Sequence, residues 1–222
     1  MSTNTPGIWN ERPYNSTYIK VLRASLDAAG FENTKIVAPD GSWDIANDIL
    51  KDKALAEAVY AIGSHYPGTS TTQAALETGK PLWASEDMST YNDLRGAGCW
   101  ARILNQNHVN GNMTTTISWN LAASYYHGLR WFGTALLTAA SPWSSSWGNA
   151  NQNLGLLYGT AHTTYFTQPG WRYAKHLQGT GFLQSGGSYV PLVAMCSGQH
   201  TAAHSALALA FCSRSVQLCH TH

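Results

Sequence analysis

The sequence predicts an α/β fold in which short parallel strands alternate with helices. Apolar residues recur at helical spacing over residues 14–30, and Gly30 follows as a stop signal. Short apolar runs at 35–38 and 82–85 are expected to be strands, because turn or polar residues close each of them. Alternation of this kind over short connections builds a parallel sheet whose two faces are covered.

The predicted elements follow one another from the start of the chain to residue 119. Strands are expected at 7–11, 35–38, 59–64, 82–85 and 113–119, and helices at 14–30, 44–59, 71–78 and 98–107. An open doubly wound sheet and a closed (β/α)8 barrel both fit this order. The doubly wound alternative requires a glycine-rich loop after a strand, and Gly96-Ala97-Gly98 follows a turn and lacks the third glycine.

Polar and aromatic residues at the predicted strand ends favour the barrel, because barrel enzymes keep their active sites at the carboxyl ends of their strands. These residues are Asn10, Glu11, Asp40, His65, Tyr66, Glu86, Trp119 and Asn120. The sequence shows about five strands, whereas a closed barrel needs eight. We therefore predict the C-terminal part of a (β/α)8 TIM barrel, from about the end of strand 4 to strand 8, in an incomplete chain.

The balance of charges excludes two classes of partner. The 222 residues include 13 basic and 12 acidic residues, which give a net charge of +1. Nucleic acids and acidic lipid surfaces require clustered basic charge, so neither is expected as a partner. No apolar run is long enough for a transmembrane helix, and no secretory signal is visible at the amino end. Sequons at Asn15 and Asn112 are candidates for N-glycosylation and hint at a secretory route.

The cysteines and histidines do not form a recognisable metal site. Cys99 stands alone in the body of the chain, and the other cysteines lie close to its carboxyl end. The residue types near that end would allow a metal site, but their spacing matches no zinc pattern: Cys196, His200, His204, Cys212 and Cys219. We therefore expect neither a metal nor an organic cofactor.

Two glutamates carry the main chemical prediction. Glu11 and Glu86 each end a short, partly apolar run, and two strand–helix patterns separate them. Two carboxylates at the carboxyl ends of parallel strands can face each other, and such a pair is the minimum apparatus for cleaving a glycosidic bond. In the retaining mechanism one carboxyl protonates the leaving oxygen and the other attacks the anomeric carbon. The alternative is that both glutamates are exposed loop residues.

Four further residues are candidates for binding a sugar. Asn10 precedes Glu11 and is a candidate hydrogen-bond partner for the sugar 2-hydroxyl. Trp119 follows a predicted strand and could stack on a sugar ring, and its alternative is core packing. His65 and Tyr66 end a strand and could line the pocket, and their alternative is a satisfied pair in the core.

Six motifs follow one another along the chain. They are Gly-Ile-Trp-Asn-Glu-Arg (7–12), His-Tyr-Pro-Gly-Thr (65–69), Ser-Glu-Asp (85–87), Gly-Ala-Gly-Cys-Trp-Ala-Arg-Ile-Leu-Asn-Gln-Asn (96–107), Trp-Asn-Leu-Ala-Ala-Ser-Tyr-Tyr (119–126) and Ala-His-Thr-Thr-Tyr-Phe-Thr-Gln-Pro-Gly-Trp (161–171). Together they resemble the galactocerebrosidase family of lysosomal glycoside hydrolases. The resemblance is dense over 7–143 and patchier over 161–190, and its long motifs in the right order make it specific.

The resemblance implies a retaining β-galactosidase on a (β/α)8 barrel that removes galactose from galactosylceramide and related galactolipids in lysosomal sphingolipid breakdown. It implies that Glu11 is the acid/base, that Glu86 is the nucleophile, and that Asn10 and Trp119 contact the galactose. It also implies a saposin-type activator protein that presents the lipid and a glycosylation site at Asn112. The family has a cysteine that pairs with the one matching Cys99, but that cysteine has no counterpart that we can place in 191–222.

The same resemblance sets the expected domain boundaries. Residues 1–143 are expected to form a partial TIM-barrel catalytic domain, and 144–190 a loop and a connection that is partly barrel and partly β-sandwich. Within that connection, 144–153 is expected to be a loop and 162–171 to be strand-like. Residues 191–222 diverge from the family like an out-of-frame or unspliced reading and are expected to be disordered. The alternative to an enzyme is a catalytically inert truncated isoform or a sugar-binding fragment.

Overall fold

A four-stranded parallel sheet forms the centre of the fold. The computed structural model describes residues 14–89, 94–119, 121–124, 135–139, 151–152, 154–165, 181–182 and 188–189. The sheet consists of β1 (Val37–Gly41), β2 (Ala61–His65), β3 (Leu82–Asp87) and β4 (Thr115–Ser118), and its strands lie side by side in chain order. The predicted α/β class with a parallel sheet is confirmed. A doubly wound sheet reverses its strand order at a switch point, and these four strands show no such reversal.

Helices precede, connect and follow the strands of this sheet in the described residues. They are α1 (Ser16–Ala28), α2 (Ile45–Ile49), α3 (Lys53–Ala58), α4 (Gln73–Glu77), α5 (Leu94–Val109) and α6 (Leu154–Thr164). The single helix predicted over 44–59 is wrong, because the structure divides it into α2 and α3. The cause is Asp52, whose backbone is extended and whose side chain accepts a hydrogen bond from the Leu55 amide. An aspartate in this position starts a new helix instead of continuing the previous one.

The core lies between the sheet and the helices that connect its strands. Ile45, Leu55 and Ile62 are completely buried in it, and each such side chain contributes about 1.5–3 kcal/mol of hydrophobic stabilisation. A second apolar cluster lies where α5 packs against α6, and it includes Trp100 and Leu156. The indole Nε1 of Trp100 donates a hydrogen bond of 2.8 Å to the Thr160 hydroxyl in the same contact.

Small sheets account for the remaining described strands. The strands β5 (Ala122–Ser124), β6 (Leu137–Ala139) and β7 (Asn151–Gln152) form one sheet, and β8 (Gly181–Phe182) and β9 (Ser188–Tyr189) form another. The loop expected over 144–153 is therefore wrong at 151–152, which pair with β6.

The strand-like stretch expected over 162–171 is wrong at 162–164, which belong to α6. The Thr160 and Thr164 hydroxyls donate to carbonyl oxygens four residues earlier, so these residues keep their hydroxyls satisfied within a helix. Residues 166–171 and the whole of 191–222 lie outside the described residues.

Candidate active site

The backbone is irregular where the parallel strands end. The register shifts between Pro39 and Gly41 in the pairing of β1 with β2, and again between Ser64 and His65 in the pairing of β2 with β3. A third shift, between Ala84 and Asp87, occurs where β3 pairs with β4. An extra residue of this kind turns the following side chains away from regular alternation and is frequent beside active sites. These shifts aim the polar side chains at this edge of the sheet.

Three side chains from neighbouring strands meet at this edge. Nε2 of His65, on β2, lies 2.9 Å from Oδ1 of Asp40, on β1. Nδ1 of His65 lies 3.6 Å from Oε2 of Glu86, on β3. The exposed fraction of the side chain is 25% for Glu86, 33% for His65 and 50% for Asp40, so water reaches all three. The imidazole therefore stands between two carboxylates at the mouth of the site.

Tyr66 holds Glu86 from a second direction. Its backbone amide donates a hydrogen bond of 2.7 Å to the Glu86 carbonyl, and its hydroxyl lies near the Glu86 carboxylate. Burial of the hydroxyl, followed by the charges of Glu86 and Asp87, raises the pKa of Tyr66. The hydroxyl therefore stays protonated and can donate to the carboxylate.

The buried carboxyl of Asp87 lies next to Glu86 in the sequence and links it to α5. The Asp87 carboxyl, which is 1% exposed, accepts hydrogen bonds from the Asn107 side-chain amide at 3.0 Å and from the Met88 backbone amide at 3.0 Å. Burial raises the pKa of Asp87 to about 6, although these bonds and the nearby Arg102 act in the opposite direction. Because Asp87 directly follows Glu86, this contact ties the end of β3 to α5.

Trp119 lies just beyond the end of β4, beside the same edge of the sheet. Its backbone amide donates a hydrogen bond of 3.0 Å to the Asp87 carbonyl. The residue is 41% exposed, so it is not the core-packing tryptophan of the alternative interpretation. Tyr66 is also 41% exposed, and a satisfied core pair of His65 and Tyr66 is therefore wrong as well. Both aromatic side chains face water, as a sugar-stacking role would require.

The structure thus brings together four of the residues that the sequence singled out. Glu86, His65, Tyr66 and Trp119 share the carboxyl edge of the sheet. Asn10 and Glu11 lie outside the described residues, so the separation between the two predicted catalytic carboxyls stays a prediction.

The other singled-out residues have contacts or conformations of their own. Asn15 caps α1 by accepting a hydrogen bond from the Tyr18 amide. Asn112 lies in the turn after α5 with a left-handed backbone (φ 52°). Cys99 is disulfide-bonded, and the other cysteine lies outside the described residues. Within those residues no group of three or more metal-ligating side chains occurs, and no helix is long and apolar enough to span a membrane.

Two contacts of the site were missed by sequence reasoning. The first is the contact between Asp40 and His65. The sequence placed Asp40 among the polar residues at strand ends but assigned it no partner. The pairing of Asp87 with Asn107 joins residues 20 positions apart, and no local pattern indicates it.

A two-carboxylate hydrolase of sugars would place its nucleophile as Glu86 is placed, at a strand carboxyl end with a hydroxyl donor beside it. The chain belongs to glycosyl hydrolase family 59, whose model matches residues 2–165. It is 57% identical to galactocerebrosidase of Danio rerio over 186 residues, and 51% identical to that of Homo sapiens over 187 residues. A putative galactocerebrosidase of Caenorhabditis elegans is 36% identical over 185 residues.

The match covers most of this chain but only a small part of each relative. The match to the Danio rerio and Homo sapiens proteins takes in 84% of this chain but only 27% and 26% of theirs. The chain therefore spans about a quarter of the length of the curated relatives that it matches.

Solved structures agree on the fold. SrfJ from Salmonella typhimurium aligns with a TM-score of 0.55 at 17% identity, over 81% of this chain and 44% of that one. The catalytic domain of a GH30 xylanase C from Talaromyces cellulolyticus aligns with a TM-score of 0.53 at 19% identity, over 80% and 43%.

Proposed function

We propose that this chain carries the two catalytic glutamates of a β-galactosidase that removes galactose from galactosylceramide and related galactolipids. The observation that carries the proposal is the setting of Glu86, at the carboxyl end of β3, with the Tyr66 hydroxyl near it and His65 at 3.6 Å. The names of the relatives support the galactolipid substrate class.

The chemistry is a two-step displacement with retention. In the first step a Glu86 oxygen attacks the anomeric carbon, the bond to the lipid oxygen breaks, and Glu11 gives that oxygen its proton. In the second step Glu11 takes a proton from water, the water oxygen attacks the same carbon, and the ester electron pair returns to Glu86. No metal or organic cofactor is needed, because two carboxyls supply both the proton and the nucleophile.

The scaffold in this proposal is the C-terminal part of a (β/α)8 barrel. The four described strands would be barrel strands 5 to 8, and residues 7–11 would be the end of strand 4, beside β1. Residues 1–143 would then be the partial catalytic domain, followed by the connection at 144–190 and the tail at 191–222. In this arrangement Glu11 faces Glu86, and the retaining mechanism predicts a separation of about 5 Å between their carboxyl groups.

The remaining assignments follow the same logic. Trp119, Tyr66 and His65 line the pocket, and Asn10 contacts the sugar 2-hydroxyl. The whole protein would act in the lysosome, with a saposin-type activator that presents the lipid and with glycosylation at Asn112 and Asn15. Asn15 donates no hydrogen bond to the helix that it caps, because its side-chain oxygen is the acceptor, so its amide nitrogen remains available for a glycan.

Hydrolysis of a chromogenic β-galactoside at mildly acid pH tests the proposal. We compare the purified chain with Glu86→Gln, which removes the nucleophilic oxygen but keeps the side-chain shape. Loss of the nucleophile is expected to lower kcat by at least about 10³-fold. Glu32→Gln is the matched control, because Glu32 is exposed and precedes the amino end of β1, whereas the site lies at the carboxyl ends of the strands. Equal turnover by the wild type and Glu86→Gln would reject the assignment.

A second candidate function is binding of a sugar without hydrolysis. The exposed rings of Tyr66 and Trp119 favour it, since an apolar sugar face stacks on such rings. Galactose would then perturb the tryptophan fluorescence of the chain, while the chromogenic galactoside would remain intact. Loss of that fluorescence change in Trp119→Ala, with no hydrolysis by the wild type, would favour binding over catalysis.

A further inference from the structure

His65 contacts two carboxylates that have different environments and different proposed roles. Glu86 is the nucleophile of the proposed function, and the inference below rests on that function. Asp40 has no role in that chemistry, yet it makes the shorter contact, 2.9 Å to Nε2 against 3.6 Å from Nδ1 to Glu86. The shorter contact is the one that orients the ring.

The Asp40 contact bears on which ring nitrogen carries a proton. A carboxylate oxygen only accepts hydrogen bonds, so a proton on Nε2 makes this 2.9 Å contact favourable. In a neutral ring Nδ1 would then present its lone pair to the Glu86 carboxylate, which is an unfavourable arrangement. In the imidazolium form both nitrogens carry protons, and each faces a negative oxygen. Both ring nitrogens therefore lie near a carboxylate oxygen.

The position of Asp40 is built into the fold. Its backbone is left-handed (φ 63°), and it falls at the register shift between β1 and β2. The Ser64 hydroxyl donates a hydrogen bond of 3.1 Å to the Gly41 carbonyl and so ties the two strands together beside Asp40. The carboxylate is held by these constraints and not by a flexible loop.

No other basic side chain competes for Glu86 within the described ranges. Other ion pairs there join Lys20 to Asp52, Arg23 to Asp27 and Lys53 to Glu57, all on helices or at helix ends. Arg102 acts on Asp87, the residue after Glu86, and Tyr66 lies beside Glu86. His65 is the basic side chain within ion-pair distance of Glu86 in the described part of the chain.

We propose that Asp40 is a positioning residue that orients His65 towards Glu86 and keeps its positive charge there while the galactosyl ester exists. When the ester forms, Glu86 loses its negative charge and Asp40 becomes the remaining anionic partner of the ring. When water cleaves the ester, the electron pair of the broken bond returns to Glu86, and the imidazolium stabilises that returning charge. No proton leaves His65 in either step.

The kinetic consequence is specific to the second step. Asp40→Asn keeps the size of the side chain and an accepting oxygen, and asparagine tolerates a left-handed backbone, so this variant is expected to fold. Loss of a charged hydrogen bond should slow ester hydrolysis by about tenfold to a hundredfold. Because the ester then accumulates, KM falls together with kcat, and kcat/KM changes less than kcat. Asp27→Asn is the control, since Asp27 is an exposed, ion-paired aspartate on α1.

A purely structural role would give a different result. It would lower kcat through a smaller folded fraction and leave KM unchanged. Equal kcat and KM in the wild type, Asp40→Asn and Asp27→Asn would overturn the proposal.

Proton NMR of the full chain tests the contact without relying on activity. A ring N–H beside a carboxylate appears far downfield, and His65→Gln assigns the signal by removing it. We expect the same signal in the wild type and in Asp27→Asn, and an upfield shift of it in Asp40→Asn, because a neutral amide oxygen is a weaker acceptor than a carboxylate. A wild-type chain without turnover would reject the proposed function while an Asp40-dependent signal still supported the positioning contact. A signal at an unchanged position in Asp40→Asn would overturn the inference.

Discussion

The buried carboxyl of Asp87 makes the stability of this chain depend on pH in a predictable direction. Burial raises its pKa from 3.8 to about 6, because the charged form loses its hydration inside the protein. Asn107 and the Met88 amide offset part of that cost but not all of it. The perturbation that isolates the effect is Asp87→Asn, which is neutral at every pH and close to aspartate in shape.

The magnitude follows from the two pKa values. The shift from 3.8 to about 6 is about two pKa units, and at about 1.4 kcal/mol per unit it amounts to about 3 kcal/mol. The folded state favours the protonated carboxyl, so this stabilising contribution is fully present below pH 3.8 and is lost as the pH rises through about 6. Asp87→Asn should therefore gain about 3 kcal/mol relative to the wild type between about pH 4 and pH 7.

The variant can keep its buried contacts. The carbonyl oxygen of the Asn107 side chain is buried and has no hydrogen-bond partner among the described residues. If the Asn107 amide turns over, that oxygen can accept a hydrogen bond from the amide group that the substitution introduces at position 87.

Urea unfolding followed by tryptophan fluorescence at several pH values measures this difference. Glu32→Gln serves as the control for removing an exposed carboxylate. A difference for Asp87→Asn that changes by less than about 1 kcal/mol across those pH values would refute the reasoning.

Two further predictions concern the scaffold. A Cβ on Gly63 would lie 2.7 Å from the Ser85 hydroxyl oxygen, so Gly63→Ala should lower the free energy of unfolding by about 1–3 kcal/mol in a urea titration. Gly41→Ala is its control, because a Cβ there meets nothing within 4 Å, and an equal loss in both variants would contradict the overpacking argument. Thr72→Ala removes the side chain that accepts the Ala75 amide at the start of α4, so thermal unfolding should show a loss of about 1 kcal/mol. An unchanged melting temperature would mean that this cap adds nothing.

Much of the fold could be predicted from the sequence because its strands are short apolar runs between helical patterns. The expected strand over 82–85 lies inside β3, and the expected helix over 98–107 lies inside α5. The prediction of one helix over 44–59 is wrong because Asp52 caps a new helix, although the apolar residues keep a helical spacing across it. The strand over 35–38 ended too early, because a proline, an aspartate and a glycine in succession indicate a turn, while β1 extends to Gly41.

Only those site residues could be predicted that directly follow a predicted strand. His65 and Glu86 were found because each follows an apolar run. The contact between Asp40 and His65 depends on the parallel register of β1 and β2 and on a shift within it. Register is a tertiary property, set by which residues of two distant segments pack together, and a single sequence does not contain it in readable form.

Tyr66 and Asp40, at this edge of the sheet, both have a strained backbone. Both residues adopt a left-handed conformation, with φ of 42° and 63°, and a bulky residue such as Tyr66 adopts it only at a cost of order 1–3 kcal/mol. Gly41 follows Asp40 directly and would accept that conformation without cost, yet its φ is not left-handed. The strain instead falls on the two residues whose side chains reach His65 and Glu86. The amide of Tyr66, bonded to the Glu86 carbonyl at 2.7 Å, is one contact that offsets the strain, so Glu86 and the residue that holds it are fixed by the same bond.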